Sequence, residues 1–587
     1  VSPVDSAADV GGSAADGGPD ALLEALDPEQ RIAAEALLGP VCILAGAGTG
    51  KTRAITHRIA YGVATGAYAP NRVMALAFTT RAAAELRTRL RQLGAGGVAV
   101  RTFHAAALSQ LNYFWPHVVG GGAPAVLESK GRLLSQVAER VKLRIDTPTL
   151  RDLAAEIEWR KTSGLSLEDY AARLNHGRNP PGSLTIEQAV TAQQGYEQLK
   201  DERKQIDFED VLLACAGMIE SEPAMAMQVR EQYRFFVVDE YQDVSPLQQQ
   251  LLENWLGGRR DLCVVGDASQ TIYSFAGAQS SYLLDFGRRY GDAEVVRLER
   301  NYRSTPQIVD SANRLMRGRP GALTLRAADG VGDGPAPDVS AHATDSAEAR
   351  AVAASIAARI AEGERPESMA ILYRVNAQAA ALETALAEAG VSYQLRGGTR
   401  FFDLPEVRQA VMSLRAASIA VSGEPLFKSV SDVLRSLGWT QDPPEARGAI
   451  RDRWESLNAI MGLVDQLPKN ASFRRFTEEL LERQAAEHEP TLAAVTLATL
   501  HAAKGLEWDS VYLIGLSEGL VPISYAKTFE QLDEERRLLY VGITRARRRL
   551  QLSWSAQGVG RVAGREPSRF LAELGNRSPR VAGESRR

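Results

Sequence analysis

In the stretch AGAGTGKT, Ala45 to Thr52, a lysine and a hydroxyl follow three glycines, and in FFVVDEYQD, Phe235 to Asp243, adjacent carboxylates follow an apolar run. The first has the form of a phosphate-binding loop, with Ala45 where the usual motif has its first Gly. Gly46, Gly48 and Gly50, with Ala47 and Thr49 between them, let backbone N–H groups curl round phosphates. Lys51 would reach the β and γ groups, and Thr52 can hold Mg2+. Hydrolysis also needs a metal ligand and a group acting on water, at the end of a neighbouring strand. Asp239 is the expected second metal ligand, and Glu240 the residue that orients and activates water. Carboxylates also suit a helix N-terminus as plain caps. The presence of AGAGTGKT in the same chain favours the chemical role. Gln270, in VVGDASQTIYSFAGA, can hydrogen-bond a γ-phosphate, while Arg303 of NYRS and Arg545 of YVGITRA can stabilise charge on a transferring phosphoryl group.

Such groups need strands that end beside one another. Short β-branched runs precede helix-like segments at VCILAG, VMALAF and FFVVD, the alternation of a parallel α/β sheet. Two stretches break the rhythm and read as mainly helical, from about Ala105 to Gln194 and from about Gln409 to Glu487, each inserted into an α/β host. Residues 1–19 hold almost nothing large to bury and read as a disordered arm. The Gly- and Pro-rich span Arg317 to Pro337 reads as a loop.

The chain has 587 residues, enough for about three or four domains. With 45% hydrophobic and 24% charged residues it reads as globular. No apolar run approaches a bilayer span, and no secretory leader is visible, so a cytoplasmic location is expected and no membrane partner. Cys42, Cys215 and Cys263 lack ligand or disulfide spacing and read as core residues. The net charge of −4 provides no global pull on nucleic acid. No second His or Cys stands near His104 or His501 at ligand spacing, so no metal other than Mg2+ is expected. The run RRLLYVGITRARRRL reads as a basic helix face in its outer arginines, Arg547 to Arg549.

The ordered series LDPEQ, AGAGTGKT, AFTTRAAAELRTRL, RTFH, DFEDVL, VVDEYQD, GDASQTIYSFAGA, LERNYRS, LYRVNAQ, TLHAAKGLEWD and EERRLLYVGITRA resembles superfamily 1 DNA helicases of the UvrD/PcrA/Rep type, over nearly the whole chain. The small second insertion looks like that of divergent actinobacterial UvrD paralogues. The resemblance implies two RecA-like parallel-sheet domains, each with an inserted mainly helical domain: 20–104 with 195–293 (1A), 105–194 (1B), 294–389 with 488–575 (2A), a reduced 390–487 (2B), and a tail or linker at 576–587. It implies that ATP is read by Gln30 at the adenine edge, stacked by Tyr302 and held at the ribose by Glu507. Arg53 adds a phosphate contact, Gln270 senses the γ-phosphate, and Arg303 and Arg545 act as fingers. It places single-stranded DNA against Phe78, Thr102, His104, Tyr273, Phe275, Arg374, Asn376, Thr499 and His501, with aromatic faces stacking on bases. The function implied is ATP-driven 3′–5′ translocation and unwinding in DNA repair or replication, on single strands and 3′-tailed duplexes, by a bacterial, DNA-associated monomer with repair proteins as partners. Competing readings are a helicase-nuclease subunit, an ATPase that displaces proteins from DNA, and a scaffold with a dead nucleotide fold. The chain departs from the family pattern at Phe275 and Ala276, where Trp followed one position later by Arg is usual, and in its short 2B region, which lacks a recognisable Gly-Ile-Gly signature. Both departures point to translocation rather than strong unwinding by a lone monomer.

Overall fold

The computed structural model describes residues 18–396, 401–420, 424–442, 444, 449–464, 467, 471–485, 494–558 and 564–575. The arm expected at 1–19 lies outside these but for its last two residues, as does the tail expected at 576–587. The chain divides into two compact units, the first formed by Val1–Glu128, Lys161–Gly164 and Asp201–Glu299, the second by Ser129–Arg160, Leu165–Lys200 and Arg300–Arg587.

The first unit is built on a six-stranded parallel sheet. Its strands are β1 (Val41–Ala45), β2 (Val73–Ala77), β3 (Ala99–Thr102), β4 (Phe235–Val238), β5 (Leu262–Gly266) and β6 (Glu294–Leu298). They lie in the order β3-β2-β4-β5-β1-β6. Sequences such as VCILA and FFVV are buried on both faces because helices cover both sides, as an all-parallel sheet requires. On one face Trp255 packs between Phe103 and Phe236, with ring centroids 5.9 and 6.2 Å away, and its Nε1 donates to Gln110 Oε1 at 2.8 Å. The buried indole thus keeps its polar end satisfied. The other face holds Ile55, Ile59, Leu86 and Leu90. Helix Phe103–Val118, within which the first insertion was expected to begin at about Ala105, packs into the Trp255 core.

The second unit repeats the plan. Strands β7 (Asp338–Thr344), β8 (Met369–Tyr373), β9 (Tyr393–Arg396), β10 (Val495–Thr499), β11 (Trp508–Leu513) and β12 (Ala546–Gln557) form a parallel sheet in the order β7-β12-β11-β8-β10-β9. The second helical stretch comprises Pro405–Ala420, Leu426–Ser436, Ala449–Val464 and Phe473–Ala485. It has its own core around Trp439, Trp454, Leu457 and Phe476. The run RRLLYVGITRARRRL is not one helix. Helix Phe529–Ile543 ends at its middle, and Arg547 to Arg549 lie on β12. From Ala546 onward the apolar residues recur at Leu550, Leu552 and Trp554, and sheet burial overrides the helical run before it.

Candidate functional site

The loop after β1 enters helix Lys51–Ala64 through Gly48 (φ 70°) and Gly50 (φ 79°), left-handed torsions that disfavour a Cβ. At Gly50 space is also short, since a Cβ would come 2.6 Å from Gln30 Nε2. Gln30 is fixed there by its own bonds: its N–H donates to Asp27 Oδ1 at 2.8 Å and its Nε2 to Thr49 O at 2.9 Å. Thr49 Oγ1 in turn donates to Gly46 O at 2.9 Å. Gln30 and the phosphate loop are therefore one hydrogen-bonded piece. The amide of Ala54 reaches Gly50 O at 3.0 Å, so those of Lys51, Thr52 and Arg53 precede the first helical bond, where anions are welcome. Lys51 Nζ is buried with no hydrogen-bond partner among the described residues. A buried ammonium without an acceptor is costly unless an anion meets it, so loop, amides and cation together fit a phosphate group. Arg53 is exposed and donates from Nη2 to Ala25 O.

Strand register brings the remaining groups alongside. β5 pairs with both β1 and β4, Leu44 opposite Gly266 and Val238 opposite Val264. The residues after Ala45, Val238 and Gly266 thus leave the same edge of the sheet, the edge where open α/β sheets bind ligands. Asp239 donates its N–H to Leu76 O at 2.9 Å, and its Oδ1 accepts from Glu240 N at 3.0 Å. Glu240 has φ 52° and ψ 43°, one of three positive-φ residues other than glycine among those described. Its Oε2 accepts from Gln242 Nε2. Gln242 Oε1 accepts from Asp267 N at 3.0 Å, and Asp267 Oδ2 accepts from Gln270 Nε2 at 2.7 Å. Gln242, Asp267 and Gln270 are all buried. A continuous relay of hydrogen bonds therefore joins the expected water-activating carboxylate to the expected γ-phosphate sensor. Gln242 was not singled out from the sequence.

In the second unit Arg303, Glu507, Arg545 and Arg547 come together. Glu507 accepts from Arg303 Nε and from Arg547 Nη2, and these two cations hold its carboxyl below the usual range against the opposing effect of burial. Arg303 Nη1 also donates to Thr544 O at 3.1 Å. Arg545 is buried, with Nε on Val541 O at 2.9 Å, Nη1 on Leu506 O at 3.1 Å and Nη2 on Thr544 Oγ1 at 3.1 Å. Tyr302 stands 45% exposed.

The aromatic residues of the first unit form two small platforms. Phe78 stacks on Tyr273 with centroids 5.5 Å apart and planes at 21°, and Phe275 meets Tyr273 edge-on at 6.1 Å. Phe275 is 62% exposed. His104 stacks at 3.9 Å on Phe208, itself 52% exposed, an aromatic that sequence reading passed over inside DFEDVL. Thr102 caps helix Phe103–Val118, accepting from Ala105 N at 3.2 Å. In the second unit Tyr373 of β8 pairs with Thr499 of β10, so Arg374, Asn376 and His501 follow neighbouring strand ends. Arg374 is engaged with Glu535, Nη2 to Oε1 at 2.8 Å, and that carboxylate keeps it firmly charged in spite of burial. Desolvation of its ring, with Arg374 and Lys504 nearby, pushes His501 down to about 3, so it is neutral at ordinary pH. Asn376 is exposed, and Thr499 Oγ1 accepts from Ala502 N at 3.2 Å. Among the described residues no group of three or more His, Cys, Asp or Glu is placed to hold a metal, and no helix is long and apolar enough to cross a membrane.

Residues 26–291 match the UvrD/REP helicase N-terminal domain, and residues 296–441 and 425–557 match the UvrD-like helicase C-terminal domain. The chain is 48% identical to ATP-dependent DNA helicase UvrD2 of Mycobacterium tuberculosis, over 97% of this chain and 84% of that protein. It is 29% identical to DNA helicase II of Escherichia coli, over 94% of this chain and 88% of that one. Against ATP-dependent DNA helicase PcrA of Bacillus subtilis the identity is 28%, over 94% and 86%.

Proposed function

The chain belongs to the UvrD/Rep helicase family, and from that premise we propose that it is an ATP-driven translocase on single-stranded DNA that moves 3′ to 5′ and opens 3′-tailed duplexes during repair or replication. The enzyme class, an ATP-dependent DNA helicase, follows from the family. Polarity, pathway and a monomeric, cytoplasmic working state belong to the proposal.

Lys51 and the first amides of its helix bind the β- and γ-phosphates, and the fit of an acceptor-less buried ammonium to an anion supports this. Thr52 and Asp239 would hold Mg2+, which when bound supplies positive charge to the phosphate oxygens. Glu240 takes the proton of the attacking water, and Gln242 keeps its carboxylate turned to that task. Gln270 hydrogen-bonds the γ-phosphate and carries its state through Asp267. In the same reading Gln30 reads adenine, Tyr302 stacks on the base, Glu507 holds the ribose, and Arg53, Arg303 and Arg545 contribute to the phosphates. Phe78, Tyr273 and Phe275 stack on bases with Thr102 and His104 beside them, and Arg374, Asn376, Thr499 and His501 contact the strand from the second unit.

The observation that carries the reading is the relay Glu240, Gln242, Asp267, Gln270, which ends three positions before Tyr273 of the aromatic platform. It links phosphate chemistry to a strand-binding loop within one unit. The test is ATP hydrolysis with and without oligo-dT, followed by unwinding of 3′-tailed against 5′-tailed duplexes. Strong stimulation and opening of the 3′-tailed substrate alone are expected. Unstimulated hydrolysis, or opening of the 5′-tailed substrate, would refute the proposal.

A further inference from the structure

Two consecutive side chains outside every motif discussed above bond to residues that flank the aromatic platforms of the first unit. They are Lys161 and Thr162, the last residues of helix Thr147–Thr162, which sit with Ser163 and Gly164 in the first unit although the rest of that helix does not. Lys161 Nζ donates to Asp207 Oδ2 at 2.7 Å and to Asp210 Oδ1 at 2.6 Å, with the lysine 3% exposed and the two carboxylates 1% and 18%. Those carboxylates close a capping box at the start of helix Phe208–Ser221: Asp207 Oδ1 accepts from Asp210 N at 2.9 Å, and Asp210 Oδ2 accepts from Asp207 N at 3.0 Å. Phe208, stacked on His104, sits between them. Two carboxylates held this close repel one another, and the shared ammonium lets both keep the box closed. The backbone of Phe208 is thereby fixed from both sides.

Thr162 does the same for the second platform. Its Oγ1 donates to Ala276 O at 3.0 Å, at the end of the short turn Ser274–Ala276 that carries Phe275. The following residue, Gly277, has φ 96°, and a Cβ there would lie 2.8 Å from Thr162 Oγ1. The turn is pressed onto the threonine as closely as a glycine allows. An aromatic ring exposed on a surface turn gains affinity for a base when its backbone is already ordered, because less conformational freedom is lost on binding.

We propose that Lys161 and Thr162 are positioning residues for single-strand binding: without touching the strand, they set Phe208 and Phe275 in the orientation that receives bases. The inference rests on reading the aromatic platforms as a single-strand surface. It assigns a function to a helix end that no motif marks.

Base-dependent affinity should then depend on both residues, while affinity for a bare sugar-phosphate backbone should not. Full-length protein is titrated with a fluorescent oligo-dT and with an equally long abasic oligomer. The proteins compared are wild type, Thr162→Val, Lys161→Met and Lys161→Arg, each checked by thermal melting. Wild type prefers oligo-dT. Thr162→Val loses about fivefold in oligo-dT affinity, the low end of one stacking contact, and keeps its abasic affinity within about twofold. Lys161→Met loses more, and Lys161→Arg, which retains the cation, recovers most of it. If Lys161→Met does not fold, Thr162→Val decides alone. An unchanged preference in Thr162→Val, or equal losses on both oligomers, overturns the inference. A wild type that binds both oligomers equally removes the stacking surface itself, and the inference with it.

Discussion

Glu240 sits in a left-handed backbone conformation that costs a side-chain-bearing residue on the order of 1 to 3 kcal/mol. The carboxylate is held by Gln242, whose other end is committed to Asp267, so the strain is locked by buried bonds rather than relieved. Replacing Glu240 by Gln preserves the acceptor for Gln242 but removes the base. Turnover should fall by about 10^2- to 10^4-fold with nucleotide and DNA binding retained, as steady-state hydrolysis and equilibrium binding would show. Gln242→Leu should lower kcat on the order of 10^2-fold with KM for ATP nearly unchanged, because a misaimed base affects the chemical step and not the phosphate grip. A proportional rise in KM would place Gln242 in nucleotide binding instead. At this scale the sequence pointed to residues whose neighbours in the chain are also their neighbours in space, such as Lys51 and Thr52, which open the helix after Gly50. Gln242 gave no signal, because its meaning lies in a partner 25 positions away. The same holds for Phe208, known by its stack on His104, and for Arg547, known by its pairing with Glu507.

Helix Asp345–Ala361 shows how an element can store a pH response. It buries Glu348 beneath the second sheet, where the carboxylate accepts from Gly515 N at 2.9 Å and Ser553 Oγ at 2.6 Å. Burial, with Asp345 adding repulsion and Arg565 partly offsetting it, raises this group from 4.5 to about 7. A carboxyl raised on folding contributes stability that is fully present below about pH 4.5 and is lost as pH climbs through 7, a change of roughly 3 kcal/mol. Glu348→Gln should therefore be more stable than wild type at pH 8 and no more stable near pH 4.5, as urea melts at the two values would show. An equal difference at both would mean that the carboxyl does not titrate in this range. Elements whose periodicity matched their burial were legible from sequence, among them VCILA as β1 and KTRAITHRIA within the helix that follows. The basic run ending in RARRRL was not. Its helix stops at Ile543 because the next residues alternate into a sheet, and a charge pattern alone cannot register that change of period. Helix Phe103–Val118, where the first insertion was expected to begin at about Ala105, buries Phe103, Ala106, Ala107, Leu111 and Phe114 in the core of the first unit.

Across the whole molecule a net charge of −4 sets the character of DNA binding. With no global positive field, affinity should come from stacking and a few local contacts, so log K against log salt on oligo-dT should have a slope no steeper than about −3, at about −0.7 per phosphate contacted. A slope near −7 would point to a long basic track instead. The division into two parallel-sheet units was legible from the repeated alternation of short strands and helices, and the motif series supplied their order along the chain. Strand order within each sheet was not, because placing β5 between β1 and β4 depends on crossovers that a linear pattern does not encode. One consequence of the second sheet's order concerns how such a chain can be edited. β9 and β10 are hydrogen-bonded neighbours, so everything from Arg396 to Val495 is, to that sheet, a single bridge between adjacent rails. Lengthening or trimming a bridge costs only a slowly growing closure entropy and moves no rail. The span between β9 and β10 can therefore vary in length without shifting either strand of that sheet.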